Sequence, residues 1–497
     1  MKSTHLHIRQ DDAVIVTLTS LQKGEVLHTG DQTVTLREDV PSGHKVAIRD
    51  IEPGEEVIKY GFPIGVAKQR IRVGDWVHTH NVRTKLDSTL SYDYQAENSK
   101  VKAQPSDRTF LGYRRDDGQV GIRNEIWIIN TVGCINKTAE VLAKMANQQF
   151  ADAGIDGIYH YPHPFGCSQL GDDLHNTQKI LRNLVQHPNA AGVLVIGLGC
   201  ENNHIAAFKN VVGHVNEDRV KYIVSQEVED ELQAGLTAIG ELVHYAEKFE
   251  REPVPVSELK IGLKCGGSDG FSGITANPLV GALSDRLIGE GGTTILTEVP
   301  EMFGAETILM NRAVDENVFS DMVHLINDFK EYFIKHDQPV YENPSPGNKS
   351  GGITTLEEKS LGCVQKGGLA DVVDVLPYGG TVEKKGLNIV QGPGNDLVSV
   401  TTLAAAGAHI VIFTTGRGTP FGGPVPTIKM STNSDLYQRK QNWIDFDAGP
   451  ILEGMSIEDL QQQLYDYVLE LASGGKQTHN EKNGFKEIAI FKDGVIL

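Results

Sequence analysis

Apolar residues recur along this chain in two rhythms. Up to about residue 95 they come in short alternating or β-branched runs, AVIVTLTSL, HKVAIRDI, EEVIKYGFPIGVA and DWVHTH, separated by Gly, Asp and Pro. That pattern predicts an all-β part over residues 1–95, because strand side chains alternate between faces and no helical period is visible. The polar stretch YQAENSKVKAQPSD has no hydrophobic pattern and reads as a linker, placed at 96–107.

From residue 108 the rhythm changes. Short β-rich runs, IWIINTVG, DGIYHYP, AGVLVIGLG and KYIVSQ, alternate with longer helix-like stretches such as NKTAEVLAKMANQQFADAG and NTQKILRNLVQHPN. Alternation of this kind predicts βα units on a largely parallel sheet. A second α/β set follows in LKIGLKCGG, TTILTEVPEMF, ADVVDVLPY, LNIVQGPG and HIVIFTTGRG, with a long helix-like stretch over 308–336 and an amphipathic one over 456–473. The run EREPVPVS marks the boundary between the two sets, giving α/β parts at 108–255 and 256–497. The expected fold class is therefore α/β with an N-terminal all-β domain.

Charge narrows the function. With 46 Lys and Arg against 65 Asp and Glu, the formal charge is −19, and no basic run interrupts it. Nucleic acid and anionic membranes are thereby poor partners. No apolar stretch has the length of a signal core or a membrane span, so a soluble cytoplasmic protein is expected. Five cysteines in 497 residues are too few for a disulfide framework.

Several residues have the chemistry of a site. Cys134, Cys167 and Cys200 stand 33 residues apart, each after a Gly and each where a strand run stops. Cys265 in LKCGGSDG has the same position, so four cysteines could share the carboxyl edge where α/β sheets bind ligands. Either 33 residues is a βα repeat carrying small packing residues, or the thiols ligate iron, zinc or an iron–sulfur cluster, or they stand near the site without ligating. HYPHPFGCSQLGDDLH holds His163, His175, Asp172 and Asp173, which suit acid–base work, although the two Asp could equally cap a helix. TEVPEMFGAE sets Glu298, Glu301 and Glu306 after a strand, as a divalent-cation shell or an acidic first helical turn. The loops CGGSDGFSG, NPSPGNKSGG, QGPGND and TTGRGTPFGG could wrap an anion, with Lys349 and Arg417 as fixed cations, yet none is a nucleotide fingerprint. In DWVHTHNVRT, His78 and His80 would share one strand face ahead of Arg83, as a substrate rim, half a metal site or a solvated pair.

Longer motifs carry a resemblance over essentially the whole chain. KYGFPIGVA, VHTHNVRT, GYRRDDGQVGIRNEIWI, GCSQLGDD, HPNAAGVLVIGLGCENN, CGGSDGFSGITANP, TEVPEMFGAE, YENPSPGNKSGGITTLEEKSLGC, TGRGTPFGGPVPTIK and WIDFDAG resemble the altronate/galactarate dehydratase family. The resemblance implies a β-clip, SAF-type N-terminal domain, a flexible linker, an α/β dimerisation domain, and a variant Rossmann-like C-terminal sheet with a divalent-metal site. It implies D-altronate → 2-dehydro-3-deoxy-D-gluconate + water in hexuronate (galacturonate) catabolism. Iron(II) or manganese(II) is then the cofactor, no nucleotide is needed, and the chain forms a homodimer. Galactarate dehydration, a sulfolyase reaction, an iron–sulfur dehydratase built on Cys134, Cys167 and Cys200, and a non-catalytic sugar-acid-binding protein are the alternatives.

Dehydrating an aldonate removes a weakly acidic C2 proton and the C3 hydroxyl. It needs a Lewis acid for the enediolate, a base and an acid. By residue type and position, Glu298, Glu301 and Cys265 are assigned to the metal, and His163, His175, His78 and Asp172 to acid–base work and its orientation. His80, Arg83, Ser268, Asn277, Lys349 and Arg417 are assigned to the substrate. The N-terminal domain is expected to close over the site and bring its histidines and Arg83 to the substrate.

Overall fold

A computed structural model describes residues 3–97 and 99–497. The β-rich beginning forms a four-stranded antiparallel sheet in the order His5–Leu6, Val14–Thr17, Lys45–Ala47, Trp76–Val77. A three-stranded sheet of Glu56–Lys59, Phe62–Ala67 and Val82–Arg83 and the hairpin Val26–Thr29/Gln32–Thr35 complete it. The strands are short and twisted, and Val14, Ile15, Val46, Val57 and Ile64 fill the interior between them.

The middle part carries four parallel strands in the order Gly157–Tyr161, Glu125–Asn130, Ala190–Gly197, Val220–Val224. All eight residues of Ala190–Gly197 are buried, as expected for a strand covered by helices on both faces. The C-terminal part carries seven parallel strands. Their order is Val372–Leu376, Gly386–Val390, Thr293–Leu296, Lys260–Cys265, Ile410–Thr415, Thr427–Ser431, Phe446–Asp447. In this sheet the chain first fills one side of Lys260–Cys265, laying the edge strand Val372–Leu376 before Gly386–Val390 inside it, and then builds the other. The switch point therefore lies at the carboxyl ends of Lys260–Cys265 and Ile410–Thr415, where open α/β sheets bind ligands.

Helices appear where the pattern placed them. Ile457–Ala472 begins at Ser456, whose side chain accepts from Asp459 N. The 308–336 stretch divides into Glu306–Met310 and Glu316–Lys335, the second capped by Asp315. The expected N-caps Asp172 and Asp173 instead lie inside the first turn of Gly171–Val185, where they complement the helix dipole.

The two connectors are both ordered. EREPVPVS lies between the two α/β parts, and within it Arg251–Pro255 pairs antiparallel with Thr109–Arg114 and straps the two ends of the middle part together. The linker is docked along the C-terminal part. Tyr94 Oη donates to Ala313 O at 2.6 Å, Glu97 N to Asn311 O at 2.8 Å and Gln104 N to Gly289 O at 2.7 Å. Tyr92, Tyr94 and Val101 supply apolar anchors that a period search over a polar stretch does not register.

The N-terminal part is seated on the C-terminal part. Gly270, Gly351 and Gly352 meet Gly43 there, and a Cβ on Gly270 or Gly352 would lie 1.9 or 2.2 Å from Gly43 O. Those glycines of CGGSDGFSG and NPSPGNKSGG thus permit domain contact rather than wrap an anion. The seat carries buried charge: Glu358 accepts Lys59 at 2.8 Å and Lys45 at 2.9 Å, and Lys45 also reaches Gly352 O at 2.7 Å. Burial and the charge of Lys59 outweigh Glu358 at Lys45, whose ammonium is lowered to about 8.

Candidate active site and metal centre

The C-terminal switch point holds a buried cluster of thiols, carboxylates and ammonium groups. Cys265 ends the central strand, and Glu301 ends the short turn Val299–Glu301 after the neighbouring strand. Cys363 ends the helix Leu356–Cys363, whose N-cap Thr355 accepts from Glu358 N. Lys359 and Cys363 are four residues apart and so share one helix face. Cys265 Sγ and Cys363 Sγ are 3.2 Å apart, and they lie 3.4 and 3.2 Å from Glu301 Oε2. Among the described residues this is the one trio of His, Cys, Asp or Glu whose ligand atoms all fall within 4.8 Å of one another.

Three lysines surround the trio. Lys359 Nζ reaches Glu301 Oε1 at 2.8 Å and Asn343 Oδ1 at 3.0 Å. Lys366 Nζ lies 2.8 Å from Cys265 Sγ and 3.2 Å from Glu298 Oε2, and Lys264 pairs with Glu298 and with Asp396 at 3.0 Å. Burial pushes the Glu301 carboxyl up, but Lys359, Lys264 and Lys366 together hold it down to about 2. The Cys363 thiol is pushed well up by its contact with Cys265 and by burial. Three lysines stand against the three carboxylates Glu298, Glu301 and Asp396. Two thiolates and a dication would keep that balance, so the donor set fits a divalent cation with an affinity for sulfur.

Glu298 has another part in this arrangement. It sits in a left-handed conformation, φ 69° and ψ 51°, which an L-residue enters at a cost of about 1 kcal/mol. Its carboxylate takes Lys264, Lys366 and the Cys265 N–H, so it braces the strand end and is not one of the trio. Glu306 turns away altogether, onto Tyr92, Lys330 and Gly304 N. Cys363, Lys359, Lys366 and Lys264 were missed. The available signal was LEEKSLGC, where a Lys and a Cys at helical spacing follow two Glu.

A cavity of about 10 Å³, room for one water at most, adjoins the cluster, and Ser268, Asp269, Gly270, Lys359, Gly362 and Cys363 are among its walls. Lys59 and Tyr60 reach in from the N-terminal part. Ser268 is buried, and its Oγ has no partner among the described residues. Tyr60, itself left-handed at φ 62°, also lines an apolar groove of about 1040 Å³ between the N- and C-terminal parts.

The remaining expected residues scatter. His78 and His80 do not share a strand face, because Trp76–Val77 ends before them and Asn81 turns the chain, accepting from His78 N and donating to Trp76 O. His78 is buried and stacks on Trp76. Its Nδ1 lies 3.1 Å from Thr354 Oγ1, and burial and Lys45 lower it to about 3. His80 and Arg83 are exposed. His163 is buried with Nε2 on Asn130 O at 2.8 Å and Nδ1 accepting from Phe165 N, so both ring nitrogens hold a loop. His175 is exposed on Gly171–Val185. Asp172 lines a cleft of about 280 Å³ with Gly392 and Pro393, on the loop whose Gly394 packs against Glu301. Asn277 spends both side-chain ends, on Gly362 O and Thr414 Oγ1. Lys349 is half-buried and Arg417 exposed. Cys134, Cys167 and Cys200 are exposed and follow strands of the middle sheet, whereas Cys265 is buried at a strand end of the C-terminal sheet.

Comparison with known proteins covers the same three parts. The family described as "D-galactarate/Altronate dehydratase, C-terminal" matches residues 256–496, and "D-galactarate dehydratase/Altronate hydrolase, second domain" matches 112–247. "Altronate/galactarate dehydratase SAF domain" matches 3–85. The altronate dehydratase of Bacillus subtilis (strain 168) is 53% identical over the full length of both chains. That of Escherichia coli (strain K12) is 52% identical over 99% of this chain and all of its own. The galactarate dehydratase (L-threo-forming) of Escherichia coli (strain K12) is 34% identical over 98% of this chain and 96% of its own.

Proposed function

This chain belongs to the altronate/galactarate dehydratase family, and from that premise we propose that it is a D-altronate hydro-lyase forming 2-dehydro-3-deoxy-D-gluconate and water. The observation that carries the substrate assignment is full-length identity of 52–53% to two altronate dehydratases, against 34% to the galactarate enzyme.

The reaction needs stabilised negative charge at the substrate carboxylate as the C2 proton leaves. A divalent cation held by Cys265, Glu301 and Cys363 would supply that as a Lewis acid, and two thiolate donors favour iron(II) over manganese(II). Lys359 keeps Glu301 anionic and oriented. Ser268 Oγ, unpaired at the wall of a cavity of about 10 Å³, becomes available to a substrate hydroxyl only when Lys59 and Tyr60 of the N-terminal part move back. His78 is bonded to Thr354, next to Ile353 of the cavity wall, and burial lowers it to about 3, which suits it to positioning that wall rather than to taking the C2 proton. Arg417 and Lys349 offer positive charge to an anionic substrate in a protein of charge −19. Glu298 serves as a brace for Cys265, Lys264 and Lys366.

The test is an anaerobic assay with iron(II) or manganese(II) on D-altronate, galactarate and D-mannonate, reading 2-keto-3-deoxy acid. Metal-dependent turnover of D-altronate alone is expected. Turnover of galactarate in its place would overturn the substrate assignment and leave the reaction class standing.

A further inference from the structure

The chemistry above leaves Cys134, Cys167 and Cys200 unused. All three are exposed, whereas Cys265 and Cys363 are buried. Free cysteine packs as a small apolar side chain and is among the most buried residue types, so three exposed thiols on one sheet edge are not explained by packing.

Topology places them together. In the middle sheet Glu125–Asn130 lies between Gly157–Tyr161 and Ala190–Gly197, and the chain visits first one side and then the other. The carboxyl ends of Glu125–Asn130 and Ala190–Gly197 therefore form this sheet's own switch point. Cys134 and Cys200 follow those two strands, and Cys167 follows the adjacent one.

The three loops are laced to one another. Gly133 N donates to Phe165 O at 2.9 Å, and Asn203 N to Gly166 O at 2.9 Å. Ser168 N donates to Asn202 Oδ1 at 2.7 Å, and Thr131 Oγ1 to Glu201 Oε1 at 2.6 Å. The contact is close enough to demand glycine before two of the thiols. A Cβ on Gly166, at φ 98°, would sit 1.9 Å from Thr131 O, and one on Gly133 2.7 Å from His163 O. His163 fastens the same loops, which explains why both its nitrogens are spent.

Two further observations point to a ligand. Asn130 Oδ1 and Gln169 Nε2, on the same strand end and loop, are buried without partners. Gln226 Nε2 approaches Cys200 Sγ at 3.6 Å, the N–H to sulfur contact that tunes cluster thiolates. A single ion does not suit the site, because the three thiols do not all lie within 4.8 Å of one another as the ligand atoms of Cys265, Glu301 and Cys363 do. An iron–sulfide core holds its thiolates farther apart than one ion does.

The geometry points to a second metal centre: a four-iron iron–sulfur cluster ligated by the thiolates of Cys134, Cys167 and Cys200, with its fourth iron facing the crevice. Binding releases the three thiol protons and forms three iron–sulfur bonds. The centre is independent of the reaction proposed above.

The test uses full-length protein purified without oxygen and reconstituted with ferric iron, thiol and sulfide. About four acid-labile sulfides per chain are expected, with broad visible absorption that dithionite bleaches. Both should vanish in C134S/C167S/C200S and persist in C265S. Reconstituted wild type lacking labile sulfide, or a triple variant that keeps it, overturns the proposal. Should the triple variant misfold, alkylation of the wild type decides. The three exposed thiols are expected to be protected in the reconstituted protein and reactive after the cluster is destroyed, and free alkylation before destruction refutes it.

Discussion

Replacing Glu358 with Gln removes the one carboxylate between two buried lysines and should loosen the N-terminal part from the site it walls. Burial alone would raise this carboxyl, but Lys45 and Lys59 lower it from 4.5 to about 2. That difference corresponds to about 3 kcal/mol of preference for the charged form. Breaking a buried pair by removing one partner costs about 3–5 kcal/mol, which agrees. Lys45, already lowered to about 8, limits the cost, because without Glu358 it can lose its proton near neutral pH. The amide should still accept from Thr354 N, as Glu358 does at 2.8 Å, so the helix start survives. The assay is native-state proteolysis of the segment joining the N-terminal part to the rest, read as an opening free energy. A drop of about 3 kcal/mol and a raised KM are expected, because Lys59 and Tyr60 wall the cavity. The pH dependence has a definite sign. A depressed carboxyl stabilises fully above 4.5, and that contribution is lost as pH falls from 4.5 through about 2. Wild type should open across that window, and E358Q should lack this part of the dependence. A change below about 1 kcal/mol with unaltered KM would refute the coupling of this pair to the site.

Three other outcomes are expected. Cys363→Ser should lower metal retained after dialysis at least about tenfold, measured as metal per chain, because it removes one of three clustered donors; equal retention would show that the metal is held elsewhere. Ser268→Ala should leave the thermal midpoint nearly unchanged, since the hydroxyl has no partner to lose, but raise KM about tenfold, the worth of one hydrogen bond. His163→Ala should cost about 2 kcal/mol in urea unfolding while the folded fraction keeps its kcat; a kcat loss without destabilisation would restore His163 as an acid–base group.

Local chemistry made much of this protein legible. The change of apolar rhythm near residue 108 separates a β-rich beginning from two α/β parts. Ser456 announces the last helix because its side chain caps locally. Cys265 and Glu301 could be placed near a ligand because strand ends at a switch point are recognisable from βα alternation. Their partners were not, because Lys359, Cys363 and Lys366 come from a helix and turn roughly 60–100 residues away that fold back over the strand ends. Glu298 and Glu301 look equivalent in TEVPE, and only the left-handed turn at Glu298 gives one to Lys264 and Lys366 and the other to the thiols.

Periods, caps, strand ends and the family motifs are written along the chain, because each is set by near neighbours. The tertiary structure alone decided which strand ends meet. It sends Cys265 to Cys363 and away from the other three cysteines, turns His78 inward onto Thr354, and commits His163 to the loops of the middle sheet. Those choices depend on sheet order and on domain docking through glycines at Gly43, Gly270 and Gly352, where backbone approaches within a distance that no side chain allows. Contacts between residues hundreds of positions apart leave no period in the sequence to read.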